Sequence, residues 1–135
     1  MSDSGPPKHW PFQVVEPCDF KMPERRITSV YLNLAPPSEL LKEALVESIN
    51  ELALTYGWQG VTCHYIIDVE GNICTGRPLE EICTSLEAKI APTAISVLGR
   101  FPSEKSMESA NQLRAAMEEV FKLANRDVSF HGFNT

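Results

Sequence analysis

Residues 61–75 constrain the fold more than any other stretch. Val61 to Asp68 is a run rich in β-formers, Glu70-Gly71 offers a tight turn, and Ile73-Cys74 begins a return strand. The segment therefore predicts a β-hairpin in the middle of the chain. Amphipathic helices are expected on both sides of it. Upstream, Leu41, Leu45, Ile49, Leu52 and Tyr56 recur at helical spacing, with Ser38 as the expected N-cap and Gly57 as the stop. Downstream, Ser103 caps a long helix whose stripe runs through Met107, Ala110, Leu113, Met117, Val120, Phe121 and Ala124. Short strands are expected at residues 27–34, closed by Pro36-Pro37, at 94–98 and at 128–131, with a helical turn or two at 78–83. The resulting order is strand, helix, hairpin, short helix, strand, helix, strand. It predicts an α/β domain with a mixed central β-sheet flanked by helices.

Residues 1–26 read differently. Five prolines, at 6, 7, 11, 17 and 23, oppose regular helix or a central strand. Yet Trp10, Phe12, Val14, Val15 and Phe20 are too apolar for a free linker. An extended arm over residues 1–26, loose in its first eight or so residues, is expected to lie on a domain of residues 27–135. With 18 acidic against 12 basic residues, the net charge of −6 disfavours non-specific attraction to nucleic acid or anionic membrane. It is compatible with docking on a basic protein surface. Apolar runs are too short to span a bilayer, and the first thirty residues lack the pattern of a secretory leader, so a cytoplasmic protein is expected. Cys18, Cys63, Cys74 and Cys83 form no CxxC pair, and buried free thiols are the expectation in that compartment.

The segment Cys63-His64-Tyr65-Ile66-Ile67-Asp68-Val69-Glu70-Gly71-Asn72-Ile73-Cys74-Thr75-Gly76-Arg77-Pro78-Leu79-Glu80, preceded by Gly57-Trp58, resembles the central hairpin of the N-acetylmuramoyl-L-alanine amidases. That family includes phage-type amidase lysozymes and peptidoglycan recognition proteins. The resemblance runs from about residue 27 to the end, and it implies an amidase-like fold of the recognition-protein type. It also implies a zinc ion held by two histidines and a Cys or Asp, with a hairpin tyrosine stabilising the oxyanion.

Position by position, this chain departs from that set. Tyr31 stands where the first histidine belongs, and a phenol of pKa near 10 is a poor zinc ligand at neutral pH. Cys63 replaces the tyrosine. His131 occupies the second histidine's place, and no Cys or Asp follows it. The expectation is thus a degenerate member, with no metal, no catalytic residue and a relic groove at Tyr31, Cys63, Arg77 and His131. The phage-type members, some of which inhibit a polymerase through this domain, imply a phage-encoded inhibitor that binds a protein partner, with Trp10 and Phe12 as contacts. Three alternatives stay open: a working zinc amidase, a non-hydrolysing muropeptide binder, and a metal site rebuilt from Cys63, Cys74, Cys83 and His131. At single positions, His64 reads as a hydrogen-bonded structural histidine. Arg77 reads either as an ion-pair partner within the sheet or as a ligand contact.

Overall fold

The computed structural model describes residues 6–133. Six strands form one mixed sheet: β1 (Val14–Val15), β2 (Ser29–Ala35), β3 (Tyr65–Ile67), β4 (Ile73–Thr75), β5 (Ala94–Arg100) and β6 (Ser129–His131). Their order across the sheet is β1-β4-β3-β5-β2-β6. The β3–β5, β5–β2 and β2–β6 pairs are parallel, and the hairpin pair β3–β4 and the β4–β1 pair are antiparallel. Two helices complete the fold, α1 (Lys42–Thr55) and α2 (Glu104–Leu123). This is the mixed α/β architecture that the element order predicts.

Alternation along the strands sends two sets of side chains to opposite faces. Val30, Leu32, Tyr65, Ile67, Ile73, Ile95 and Val97 meet Ala110, Leu113, Met117 and Phe121 of α2 in the main core. On the other face Ile66, Val61 and Cys63 meet Leu45 of α1, with Val46, Ile49, Leu98 and Trp10 against them. The arm contributes to both layers. Val14 and Val15 pair with Cys74 and Ile73, and Phe20 meets Phe121 edge-on at 5.6 Å. Phe121 is 2% exposed, so Phe121→Ala empties the place where arm and α2 meet. A loss of about 3–5 kcal/mol is expected, readable as a lower urea midpoint.

Several local expectations are corrected. Ser38 does not cap α1; its Oγ accepts from the Leu40 amide, and the helix begins at Lys42. The Lys42 amide instead donates to Asp68 Oδ2 at 3.0 Å, so the N-terminal group is satisfied from the hairpin. The α1 stripe is only half used: Leu45 is buried, but Leu41, Leu52 and Tyr56 are exposed. Residues 78–83 form turns rather than a helix. Arg25 Nε takes the Leu79 carbonyl (2.6 Å), and His64 Nε2 bonds the Glu81 carbonyl (2.8 Å), so acceptors a helix would use are held from outside. The strand expected over 61–68 is regular only at Tyr65–Ile67. Cys63 and His64 still accept from the Arg77 and Gly76 amides, which carries the hairpin pairing past the regular ladder. Gly57, at φ +87° just after α1, ends that helix as expected.

Candidate functional site

Three positions stand side by side across the parallel strands. Tyr31 on β2 is in register with Ser96 on β5 and with His131 on β6. In-register neighbours share a sheet face, and Val30 and Leu32 flanking Tyr31 belong to the α2 core. Tyr31, Ser96 and His131 therefore occupy the face opposite α2. The Tyr31 and His131 rings stack, with centroids 4.5 Å apart and planes 12° from parallel. Ser129 Oγ lies 3.0 Å from His131 Nε2, and Ser85 Oγ, from the loop after the hairpin, lies 2.8 Å from Ser96 Oγ. Immediately after His131, Gly132 has φ +85°, and a Cβ there would collide with the Leu32 carbonyl oxygen. The backbone at that point admits only glycine, and this fixes how the chain leaves β6.

Cys63 is buried beside Leu45, Val61 and Ile66, and burial pushes its thiol up to about 12. It is a neutral core group at physiological pH and supplies neither a phenol nor a thiolate. Arg77 is buried as well. Its Nε donates to the Val61 carbonyl (2.9 Å) and its Nη1 to the Ile82 carbonyl (3.0 Å), while the Trp10 ring stacks over the guanidinium at 4.7 Å. The residue clamps the hairpin exit and the arm together. It also lines a cleft of about 490 Å³ with Trp58, Glu81, Cys83, Thr84 and Leu86. Trp10 is half-buried over this clamp, and half-buried Phe12 lines a shallow crevice with Glu43 and Glu47 of α1.

The structure does not gather Cys63, Cys74, Cys83 and His131. Cys74 lies on β4 near one edge of the sheet, and His131 is on the opposite edge strand. Burial is the first cause raising all three thiols, with Cys74 also pushed up to about 12. Among the described residues no three His, Cys, Asp or Glu side chains could hold a metal ion together. The donor set at Tyr31, Ser96 and His131 does not fit zinc: one imidazole, one phenol and one hydroxyl are offered where two imidazoles and a thiolate or carboxylate are needed. Gly132 and Phe133, which follow His131, add no ligand.

Two polar residues organise the surroundings. His64 is 1% exposed, as expected of a structural histidine. Its Nδ1 accepts from the Ser96 amide (3.0 Å), so its Nε2 carries the hydrogen that bonds the Glu81 carbonyl. Asp68 is fully buried, and its two oxygens accept from the amides of Lys42, Glu70 and Asn72 and from the Asn72 side chain. Asp68 went unremarked in the sequence; an Asp two residues before Glu70-Gly71 is the signal that pointed to a side chain closing that turn.

No family model and no curated protein matches the sequence. Solved structures do. The endolysin N-acetylmuramoyl-L-alanine amidase LysCS from Clostridium intestinale aligns at TM-score 0.64 and 15% identity, over 95% of this chain and 82% of that one. This chain has the amidase fold. The peptidoglycan recognition protein PGRP-LB of Drosophila shares it at TM-score 0.61 and 13% identity, over 87% and 75% of the two chains. So does the recognition protein PGRP-LE, solved with tracheal cytotoxin, a monomeric diaminopimelic acid-type peptidoglycan (TM-score 0.57, 16% identity, 90% and 79%). Within the amidase fold of this chain, the ring pair and Ser96 occupy one sheet face, and the cleft with Trp58 and Arg77 lies beside the hairpin exit. Among the described residues no helix is long and apolar enough to cross a membrane.

Proposed function

We propose that this amidase-fold chain is a non-hydrolysing binding protein whose partner is a protein, and that it acts as an inhibitor. The observation that carries the reading is the Tyr31–His131 stack: a phenol ring lies flat against the one imidazole at that place. The pair offers a single imidazole and a phenol, whereas a zinc site needs several imidazole, thiolate or carboxylate donors converging on a point. A phage-encoded form of this inhibitor rests on the sequence resemblance alone.

Metal analysis and a peptidoglycan digestion test the loss of hydrolysis together. The purified protein should carry no stoichiometric zinc and release no muropeptide when zinc is added. Stoichiometric zinc, with release that a chelator stops, would overturn the proposal.

A second reading draws support from the cleft beside Trp58 and Arg77, and from the complex that PGRP-LE forms with a peptidoglycan fragment. In that reading the chain binds a muropeptide without cutting it. Calorimetry with a muramyl peptide separates the two, since only this reading gives saturable heat.

A further inference from the structure

The arm is held in two ways. Val14 and Val15 are strand-paired with Cys74 and Ile73, and Phe20 is buried in the main core. Residues 6–11 instead rest on the surface. The Lys8 amide donates to the Gln59 carbonyl at 2.7 Å, and the Gln59 side chain donates to the Pro6 carbonyl at 3.3 Å. The Lys8 ammonium stands 3.9 Å from Glu81, and both side chains are close to half exposed. Exposed ion pairs of this kind are weak. Trp10 is the residue of this stretch that is not exposed. Its ring packs against the cluster of Leu45, Val61, Cys63 and Ile66 and lies 4.7 Å over the Arg77 guanidinium. Arg77 in turn reaches the cleft beside Trp58, whose wall includes residues 81–84. Three contacts hold that wall. His64 Nε2 donates to the Glu81 carbonyl (2.8 Å), Arg77 Nη1 to the Ile82 carbonyl (3.0 Å), and the Thr84 amide to the Thr62 carbonyl (3.1 Å). Arg77 is the member of this set that carries the Trp10 ring. Cys83, in the middle of the wall, lines the cleft yet is 1% exposed. Thr84 Oγ1 is buried with no hydrogen-bond partner, a cost that an opened wall removes by admitting water.

We propose that Trp10 sets the closure of this cleft through Arg77, so that a partner protein that takes the Trp10 ring loosens the wall at residues 81–84. A large aromatic side chain is the kind of anchor that a partner's pocket takes. The ring cannot lie on the guanidinium and in such a pocket at once. On the guanidinium it favours the closed wall, because it holds Arg77 where Nη1 meets the Ile82 carbonyl. Capture of Trp10 and closure of the cleft therefore oppose each other. By linkage, a cleft ligand that needs the wall closed weakens partner capture by the same factor. This inference rests on the protein-partner reading above, and it supplies the regulation of the cleft that the second reading gives to a muropeptide.

Maleimide labelling of Cys83 in the whole native chain, read cysteine by cysteine in a mass spectrometer, tests the coupling. Cys18→Ser removes the exposed thiol beforehand. Trp10→Ala stands in for capture of the ring. It should raise the Cys83 labelling rate about tenfold, the equilibrium equivalent of one partly buried cation–π contact. Trp10→Phe keeps an aromatic face over Arg77 and should fall between the two, so the test survives if the alanine variant folds poorly. Lys8→Ala removes the arm's ion pair to the same wall without touching Arg77, and should change the rate little. Cys74, buried on β4 and outside the cleft lining, should label equally slowly in all four proteins. An unchanged Cys83 rate in Trp10→Ala would overturn the proposal. So would an equal rise at Cys74, which means general loosening, or a rise in Lys8→Ala as large as in Trp10→Ala, which means that the arm acts without Arg77. Neither a partner, a muropeptide nor zinc enters this measurement, so the coupling can fail while the readings above stand, and the reverse.

Discussion

Asp68→Ala is expected to cost about 3–5 kcal/mol, the scale for breaking a buried charged network. The carboxylate is wholly buried and accepts five hydrogen bonds, at 2.9 to 3.2 Å. Three come from backbone amides: Glu70 and Asn72 in the hairpin turn, and Lys42 in the first turn of α1. Alanine strands all three donors, and the Asn72 side chain loses its partner. The damage extends beyond the turn, because the Lys42 contact ties α1 to the hairpin. Asp68→Asn keeps the shape but gives up one acceptor oxygen and the charge, and is expected to cost about 2 kcal/mol. Urea unfolding of the three proteins checks this. If the alanine variant loses less than the asparagine one, the network does not hold α1 and the hairpin together.

Acid should weaken the fold through His64, and the direction follows from its surroundings. Burial foremost, with the nearby charges of Arg25 and Arg77, holds its pKa down at about 4, against 6.5 for the free side chain. The Glu81 carbonyl opposes the shift without reversing it. A neutral ring is also what the hydrogen bonds require, since Nδ1 accepts from the Ser96 amide. Above pH 6.5 neither the folded nor the unfolded state binds the proton, and this group has no effect. Between pH 6.5 and 4 the unfolded chain binds it and the folded chain does not, so stability falls as pH falls. Across that window the loss is about 3 kcal/mol. His64→Gln retains an acceptor and a donor but cannot titrate. It should be less stable at pH 7.5, with a shallower decline toward pH 4.5. Parallel decline of the two proteins would rule out His64 as the source.

The hairpin and the second helix were legible in the chain because their signals are local. Glu70-Gly71 sits between β-forming runs, and Ser103 does cap α2, its side chain accepting from the Ser106 amide. The candidate positions were legible only through the resemblance to amidases. Nothing in the spacing of Tyr31 and His131, a hundred residues apart, says that their rings touch. That contact exists because β2 and β6 lie side by side and in parallel. Arg77 shows the same limit from the other side. The Val61 and Ile82 carbonyls and the Trp10 ring that hold it come from three separate stretches of chain, and no local pattern points to them.

Alternating and helical periodicities, turn residues and caps were enough to set the order of elements and the class of the domain, since each depends on neighbours a few positions away. The order of the strands, the start of α1 at a carboxylate twenty-six residues distant, and the exposed apolar flank of that helix were decided by packing. Periodicity marks which residues are fit to be buried; how many of them find a neighbour depends on the area the rest of the fold offers, and on α1 that area ends at Leu45 and Ala53.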